Sequence, residues 1–477
     1  MAINSAVKVL GVDLDGTLLA TDALWESMLM LLKKKPMMVL YFPMWLLKGK
    51  AFFKQQLSRQ VELNPALLPY RNEVLSFLMA EKQSGKELVL ASASDEHIVK
   101  RVADHLGLFS AVLASDGITN LSGSKKLLAL ERYVDGRGFD YIGNSHDDLP
   151  LWKVAKQAIL VGPSPSLLRK ARRICSGEHV IMPAVDGLPA LLRALRVHQW
   201  VKNLLLFVPL IMSHRIMEMA LVLKGVLAFA AFSLCASSVY IINDLVDLES
   251  DRQHPSKRNR PFASGSLQIQ TGIVLALLLV SGALLIAALW ISPLFTALLS
   301  SYFLLTMAYS LFFRRKLLLD VLLLAGFYTI RIVAGAIAVS VIVSPWLLTF
   351  STFLFLSLAF LKRYAELRLM KEDNKIHSGR GYVPSDIMIV QSIGSTSGYL
   401  SILVLALYIN SRDVVELYQD PWVLWLIGPF LLYWITRMWF LAHRGQMIDD
   451  PILFAVRDRQ SYLIGFAVLV LIFSATV

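Results

Sequence analysis

Nine long apolar runs in the later part of this chain restrict what it can fold into. They lie at 199–214, 221–244, 268–290, 293–313, 317–340, 345–367, 387–409, 421–443 and 459–477. Most match the ~20 residues a helix needs to cross bilayer hydrocarbon, whereas the first is short and reads as tilted or partly interfacial. In lipid, backbone N–H and C=O groups must pair within their own segment, so runs of this length imply an all-helical bundle. Hydrophobic residues make up 56% of the 477, and this apolarity is concentrated after about residue 200. The expectation is two domains, a soluble one over 1–195 including a linker, and a polytopic membrane one over 196–477.

Charge sorts the loops between the runs. Loops 245–267, 314–316, 361–386 and 444–458 are rich in Lys and Arg, while 215–220, 291–292, 341–344 and 410–420 nearly lack them. The positive-inside tendency puts the first set in the cytoplasm, together with the soluble domain, and the carboxy terminus on the opposite side of an inner, or cell, membrane. Residues 1–195 carry 24 Lys and Arg against 19 Asp and Glu, and 196–477 carry 23 against 16. The net charge of +12 is thus spread over both parts and is read as a bilayer topology signal, not a nucleic-acid surface. Cys175 and Cys235 fall in different parts of the chain, so no disulfide framework is expected. The first residues lack the basic, apolar and cleavage regions of a signal peptide.

A charged motif interrupts the apolar pattern after the second run: Asn243, Asp244, Asp247 and Asp251, then His254, Lys257, Arg260, Ser264 and Gly265. At about 100° per residue the three aspartates fall within roughly 60° of one another on a helix and form one acidic face. Clustered carboxylates suit Mg²⁺, which takes a few of them and completes its shell with substrate phosphate oxygens. The basic run that follows can hold the phosphates.

The soluble part opens with a short strand, Val7–Val12, running into Asp13 and Asp15. Amphipathic helical stretches fill roughly 22–85, further strands are read at 88–92 and 139–142, and the proline-bearing stretch 163–197 reads as a connection to the membrane. The apolar segment Pro36–Leu47 is too short to span and reads as a cap helix or a membrane-touching surface. Strands alternating with helices indicate an α/β domain with a parallel sheet, whose ligands sit at the carboxyl ends of the strands. There one of the two carboxylates, Asp13 or Asp15, can attack phosphorus as nucleophile, and the other can serve as general acid and base two residues away. Ser92 would bind the phosphate, Lys126 neutralise it and Asp148 help Asp13 and Asp15 hold Mg²⁺. This arrangement resembles the haloacid dehalogenase superfamily of phosphohydrolases over roughly residues 7–162. One departure is Asn144, which stands where that family usually has the first acid of its last motif, with Asp147 and Asp148 nearby to compensate. An active phosphatase and a degenerate domain kept for regulation or stability both remain open.

An apolar span ending in NDxxDxxxD followed by HPxKxxRPxxSG resembles the UbiA superfamily of intramembrane prenyltransferases, over about residues 196–477. The resemblance implies a helical bundle, Mg²⁺ dependence and a cavity open to lipid. The second acidic motif common in the aromatic prenyltransferases of that superfamily is not clear here. At the equivalent end of the sixth run stand Lys362, Arg363 and Glu366, where bases suit an extra phosphate better than a second metal. With Lys202 and Asn203 opening the first run, Tyr309 before Lys316 and Asp320, and Asp449 and Asp450 before Asp458, the set resembles the polyprenyl-phosphate phosphoribosyltransferase branch. On that reading Asp244, Asp247 and Asp251 hold Mg²⁺ on the leaving diphosphate of phosphoribosyl pyrophosphate, and Lys257 and Arg260 steady its charge. Lys202, Lys316, Lys362 and Arg363 are candidates for the phosphate of the polyprenyl phosphate or of the ribose, and Asp450 and Asp458 for ribose hydroxyls. Arg331 lies within a run and is expected to face the bundle interior, as a substrate group or a structural ion pair. Transfer of a prenyl group from a polyprenyl diphosphate to an aromatic or other small acceptor, and a non-catalytic lipid-binding scaffold, are the alternatives.

Overall fold

The computed structural model describes residues 9–175, 177–183, 187–373, 381–447 and 450–476, so Val7, Lys8 and Asp449 lie outside the described residues. Packing divides the chain into two units, one made of Met1–Leu195 with Tyr240–Ala276, the other of Arg196–Val239 with Leu277–Val477. One boundary falls after Leu195. The other two assign the segment bearing the acidic motif to the unit that contains the amino-terminal domain.

In the first unit, six parallel strands β1 (Val9–Val12), β2 (Glu87–Asp95), β3 (Ala111–Ser115), β4 (Asp140–Gly143), β5 (Ala158–Val161) and β6 (Glu178–Ile181) lie in the order β3-β2-β1-β4-β5-β6. Leu10, Val12, Leu88, Leu90 and Ile142 fill one face of the sheet, and Val9, Val89, Tyr141, Leu151 and Trp152 the other. A parallel sheet covered on both faces needs apolar residues at successive positions, and β1, β4 and β5 are buried throughout. The strand order reverses between β1 and β4, which creates a crevice at their carboxyl ends.

The expected connection over 163–197 instead carries the helix Pro165–Ile174, strand β6 at the sheet edge and the helix Gly187–Leu195. Strands of four or five residues are too short to show a clear period, and β3, β5 and β6 escape a reading by pattern. Pro36–Leu47 folds as a 3₁₀ turn and a short helix, with Trp45 packed inward on Phe53 and Leu57 and with Met37, Leu40 and Leu47 exposed by 72%, 74% and 89%.

Among the described residues, seven helices are long and apolar enough to cross a membrane: Met219–Val246, Ile269–Ile291, Pro293–Leu311, Leu319–Val339, Pro345–Met370, Pro384–Ile409 and Pro421–His443. These make the protein a multi-pass membrane protein. Two of the nine expected runs differ. The first folds as a 3₁₀ stretch, Val197–Phe207, and a short helix, Val208–Met212, because buried Lys202 and Asn203 and then Pro209 break its apolar continuity. The last is the 16-residue helix Arg459–Ser474, capped by Asp458.

Trp152 is fully buried against the second face of the sheet. Trp152→Ala is expected to cost about 3–5 kcal/mol, read as a loss of hydrogen-exchange protection of more than about a hundredfold in β1 and β4.

Candidate functional sites

The crevice between β1 and β4 gathers the first set of predicted residues. Asp13 follows β1 directly, and its amide donates to the carbonyl of Ile142 in β4 at 3.0 Å. Gly16 has φ +76°, and a side chain there would strike Asn144, so glycine is needed both for the turn and for the close approach. Thr17 donates to Asp13 Oδ2 at 3.0 Å and lies 3.2 Å from Asn144 Oδ1, so the unexpected Asn144 does stand beside Asp13. Lys126 Nζ contacts Asp13 Oδ1 at 2.8 Å, Tyr141 Oη at 3.0 Å and Asp148 Oδ1 at 3.4 Å. Asp148 is buried, accepting from the amides of Asn144 and Ser145 as well. Asp15 turns the other way, accepting from the amide of Ala23 at 2.7 Å and from Ser94 Oγ at 2.6 Å, with Ser92 at 3.4 Å.

Burial sets the charge states. It raises Asp13 to about 7 against the pull of Lys126, and it raises Asp15 to about 6 with help from neighbouring Asp22. Burial works against the charge on Lys126, but Asp13, Tyr141 and Asp148 overrule it and hold the ammonium well above its ordinary range. A carboxyl tuned close to neutrality, as Asp15 is, can both give and take a proton at physiological pH.

The acidic motif lies in the same unit and departs from the simple helix expected. The helix Met219–Val246 ends before Asp247, which stands at the start of a second helix, Leu248–Gln253. Arg260 Nη1 donates to Asp244 Oδ1 at 3.0 Å and to Asp251 Oδ2 at 2.7 Å, so these two acids share one cation. Asp247 leaves that pair and accepts from Lys33 Nζ at 3.1 Å. Burial pushes Asp251 up against the opposing Arg260. His254 and Lys257 are exposed; burial and Lys257 lower the imidazole, and its Nδ1 lies 3.1 Å from Ser256 Oγ. Asn243 is partly buried, and its carbonyl accepts the amide of Asp247.

The second unit brings together a different subset. Lys202 Nζ and Lys362 Nζ both meet Asp450 Oδ2, at 2.9 and 3.0 Å, with Tyr328 Oη at 3.4 Å. Burial alone would raise Asp450, yet Lys362 and Lys202 drive its carboxyl well below the usual carboxylate range. Other candidates are held in packing networks. Arg331 donates to Asn203 Oδ1 and to Tyr302 Oη, both at 2.8 Å, and to the carbonyl of Phe327, beneath the rings of Phe232, Tyr302 and Tyr328. Arg363 pairs with Asp320 at 2.7 Å and with Glu366, while Tyr382 Oη donates to Asp320 Oδ1 at 2.9 Å. Asp458 caps its helix through Ser461 and takes two hydrogen bonds from Arg437, at 2.7 and 2.9 Å. Tyr309 packs edge-on against Phe327, and Lys316 is exposed.

A haloacid dehalogenase-like hydrolase family matches residues 10–153 and the UbiA prenyltransferase family matches residues 205–457. The chain belongs to the UbiA prenyltransferase family. Its amino-terminal domain is of the haloacid dehalogenase-like type, so the two-domain fusion expected from sequence holds. An uncharacterized protein of Sinorhizobium fredii, y4nM, is 36% identical over 95% of this chain and 88% of its own length. The nodulation protein NoeC of Azorhizobium caulinodans is 38% identical over 56% of this chain and 87% of its own. A decaprenyl-phosphate phosphoribosyltransferase of Mycobacterium tuberculosis is 29% identical over 61% of this chain and 96% of its own.

The expected metal triads need correcting against this geometry. Among the described residues no three His, Cys, Asp or Glu side chains gather closely enough to hold a metal ion alone. Asp247 is drawn to Lys33 by the helix break, and Asp15 faces Ala23 and Ser94 instead of Asp148. Magnesium bound through one or two carboxylates and substrate phosphates does not need a protein triad. Asp244 with Asp251, and Asp13 with the neutral oxygen of Asn144, fit that demand.

Sequence reasoning missed the partners that this UbiA-family chain draws from elsewhere. Glu26, in the helix Ala23–Lys34, receives Arg252 Nη1 at 3.1 Å and Nη2 at 2.6 Å, in a forked pair with both side chains buried. The one available signal was a glutamate among apolar residues with the helical spacing of an inward face; nothing local pairs it with a residue 226 positions away. Arg252→Ala strands a buried carboxylate and is expected to destabilise the first unit by about 3–5 kcal/mol, whereas replacing both members with Met is expected to be close to neutral. Denaturant unfolding of the full-length protein in detergent, followed by limited proteolysis within residues 9–195, distinguishes the two.

Proposed function

We propose that the protein transfers phosphoribose from phosphoribosyl pyrophosphate to a polyprenyl phosphate on the cytoplasmic side of the membrane, and that its amino-terminal domain is a phosphatase for the product. The observation that carries the transfer reading is the meeting of Lys202 and Lys362 on the single carboxylate Asp450. A second metal site on a prenyl diphosphate calls for clustered acids; two ammonium groups around one acid suit a phosphate ester. The named phosphoribosyltransferase relative supports the same choice of donor.

In the transfer, an oxygen of the lipid phosphate attacks the anomeric carbon of the ribose, the bond from that carbon to the diphosphate oxygen breaks, and its electron pair leaves with pyrophosphate. The attacking oxygen is already anionic, so no general base is needed. Asp244 and Asp251 are the residues that would hold Mg²⁺, which when bound supplies positive charge to the leaving diphosphate. Arg260 supplies a fixed cation beside them, worth most where charge develops on the leaving group. Lys202 and Lys362, oriented by Asp450, bind phosphate; Tyr328 orients the carboxylate, and Arg331 positions Asn203 without meeting substrate.

In the hydrolysis, Asp13 attacks phosphorus, the bond from phosphorus to the sugar oxygen breaks, and Asp15 protonates that oxygen. Water then cleaves the aspartyl phosphate, giving its proton back to Asp15 and releasing inorganic phosphate. Lys126 balances the negative charge throughout.

Membranes given labelled phosphoribosyl pyrophosphate and polyprenyl phosphate are expected to form labelled lipid, and EDTA or Asp244→Asn should reduce its formation by at least about a hundredfold. Labelled product arising only from a prenyl diphosphate and an aromatic acceptor would reverse the choice of substrates. Cellular function surviving joint Asp244→Ala and Asp247→Ala changes would favour a scaffold. Asp13→Asn is expected to accumulate the still phosphorylated lipid, seen by mass spectrometry.

A further inference from the structure

The cavity above Asp13 and Asp15 has a volume of about 280 Å³. The amino-terminal domain does not build all of its wall. Gln268 and Gln270 line it too, and they come from the far side of the acidic motif, where the span Ile269–Ile291 begins. Three contacts hold this segment against the domain. Arg252 forks onto Glu26, Lys33 binds Asp247, and Gly265, with φ +76°, approaches Ala20 so closely that a side chain there would lie 2.5 Å from its Cβ. Ala20 itself lines the cavity.

The chemistry of the wall indicates what it takes. Asp22, Lys54, Ser94 and Ser122 line the cavity with the two aspartates. Lys54 is held by the carbonyl of Ala93 at 2.6 Å and by Asn120 Oδ1 at 3.0 Å, and burial lowers its ammonium towards neutrality against the pull of Asp15 and Asp22. Gln268 is exposed and Gln270 partly buried, and among the described residues neither side-chain amide meets a hydrogen-bond partner. Each offers both a donor and an acceptor, which is what vicinal hydroxyls require. An aromatic or aliphatic leaving group would leave these polar groups unpaired.

We propose that Gln268 and Gln270 are specificity residues of the phosphatase pocket, contributed by the transferase part of the chain, and that the pocket selects a phosphorylated sugar. The inference rests on the phosphatase reading above. It makes hydrolysis dependent on the segment that carries the transferase motif, so that the hydrolase reads its leaving group with residues anchored at the start of a membrane span.

The test compares ribose 5-phosphate with p-nitrophenyl phosphate as substrates of the full-length protein in detergent. Gln268→Met and Gln270→Met keep side-chain volume and remove the amides. Each is expected to lower the ratio of kcat/KM for the sugar phosphate over that for the aryl phosphate by about tenfold, mainly through KM. An active wild type whose ratio is unchanged in both variants would overturn this inference alone, as would a parallel loss of both activities, the mark of a structural role. A wild type that releases phosphate from neither substrate would overturn the phosphatase reading and this inference with it.

Discussion

Carboxylates cannot be crowded into buried positions unless a cation stands between them, and in this protein that constraint decides the layout of each site. Arg260 joins Asp244 to Asp251, Lys126 joins Asp13 to Asp148, and Arg363 sits between Asp320 and Glu366. Around Asp450 the ratio is inverted, with two lysines to one acid. Burying like charges without such partners would cost several kcal/mol for each ion. The basic residues therefore shape the sites before any substrate arrives. Under the proposed transfer, the two lysines at Asp450 are the groups that meet an anionic phosphate.

Charge was also the most legible feature of the sequence. Asp13 and Asp15 could be found because a strand and a sharp turn lie within one short stretch, and the acidic motif because charge at the end of an apolar span is conspicuous. The class of each domain followed from the same local patterns. The partners did not. Lys33 is 214 residues from Asp247, and Asp450 is 248 from Lys202; no periodicity encodes such pairings. Arg331 shows the converse difficulty. A charge inside a span draws attention as a functional group, yet here it is fully employed in holding Asn203, Tyr302 and the carbonyl of Phe327. Sequence identifies an expensive group, while only its surroundings tell whether the expense serves packing or chemistry.

The short strands failed for a different reason. A four-residue apolar strand such as β5 resembles a fragment of buried helix, and only the neighbours that β4 and β6 provide make it a strand. The same holds for the first apolar run, where length and composition pointed to a span but Lys202, Asn203 and Pro209 produced a 3₁₀ stretch and a short helix.

The break in the acidic helix carries the last consequence. An unbroken helix would keep all three aspartates on one face, where their mutual repulsion would demand a metal or several bases. Ending the helix at Val246 lets Asp247 turn to Lys33, while Arg260 is shared by Asp244 and Asp251. Lys33 belongs to the helix capped by Asp22, which itself lines the cavity above Asp13 and Asp15. A cation recruited to Asp247 must compete with Lys33, since both are positive and seek the same oxygen. The local electrostatics of the motif are therefore tied to the helix Ala23–Lys34 by the ion pair of Asp247 with Lys33 and by the buried fork of Arg252 and Glu26.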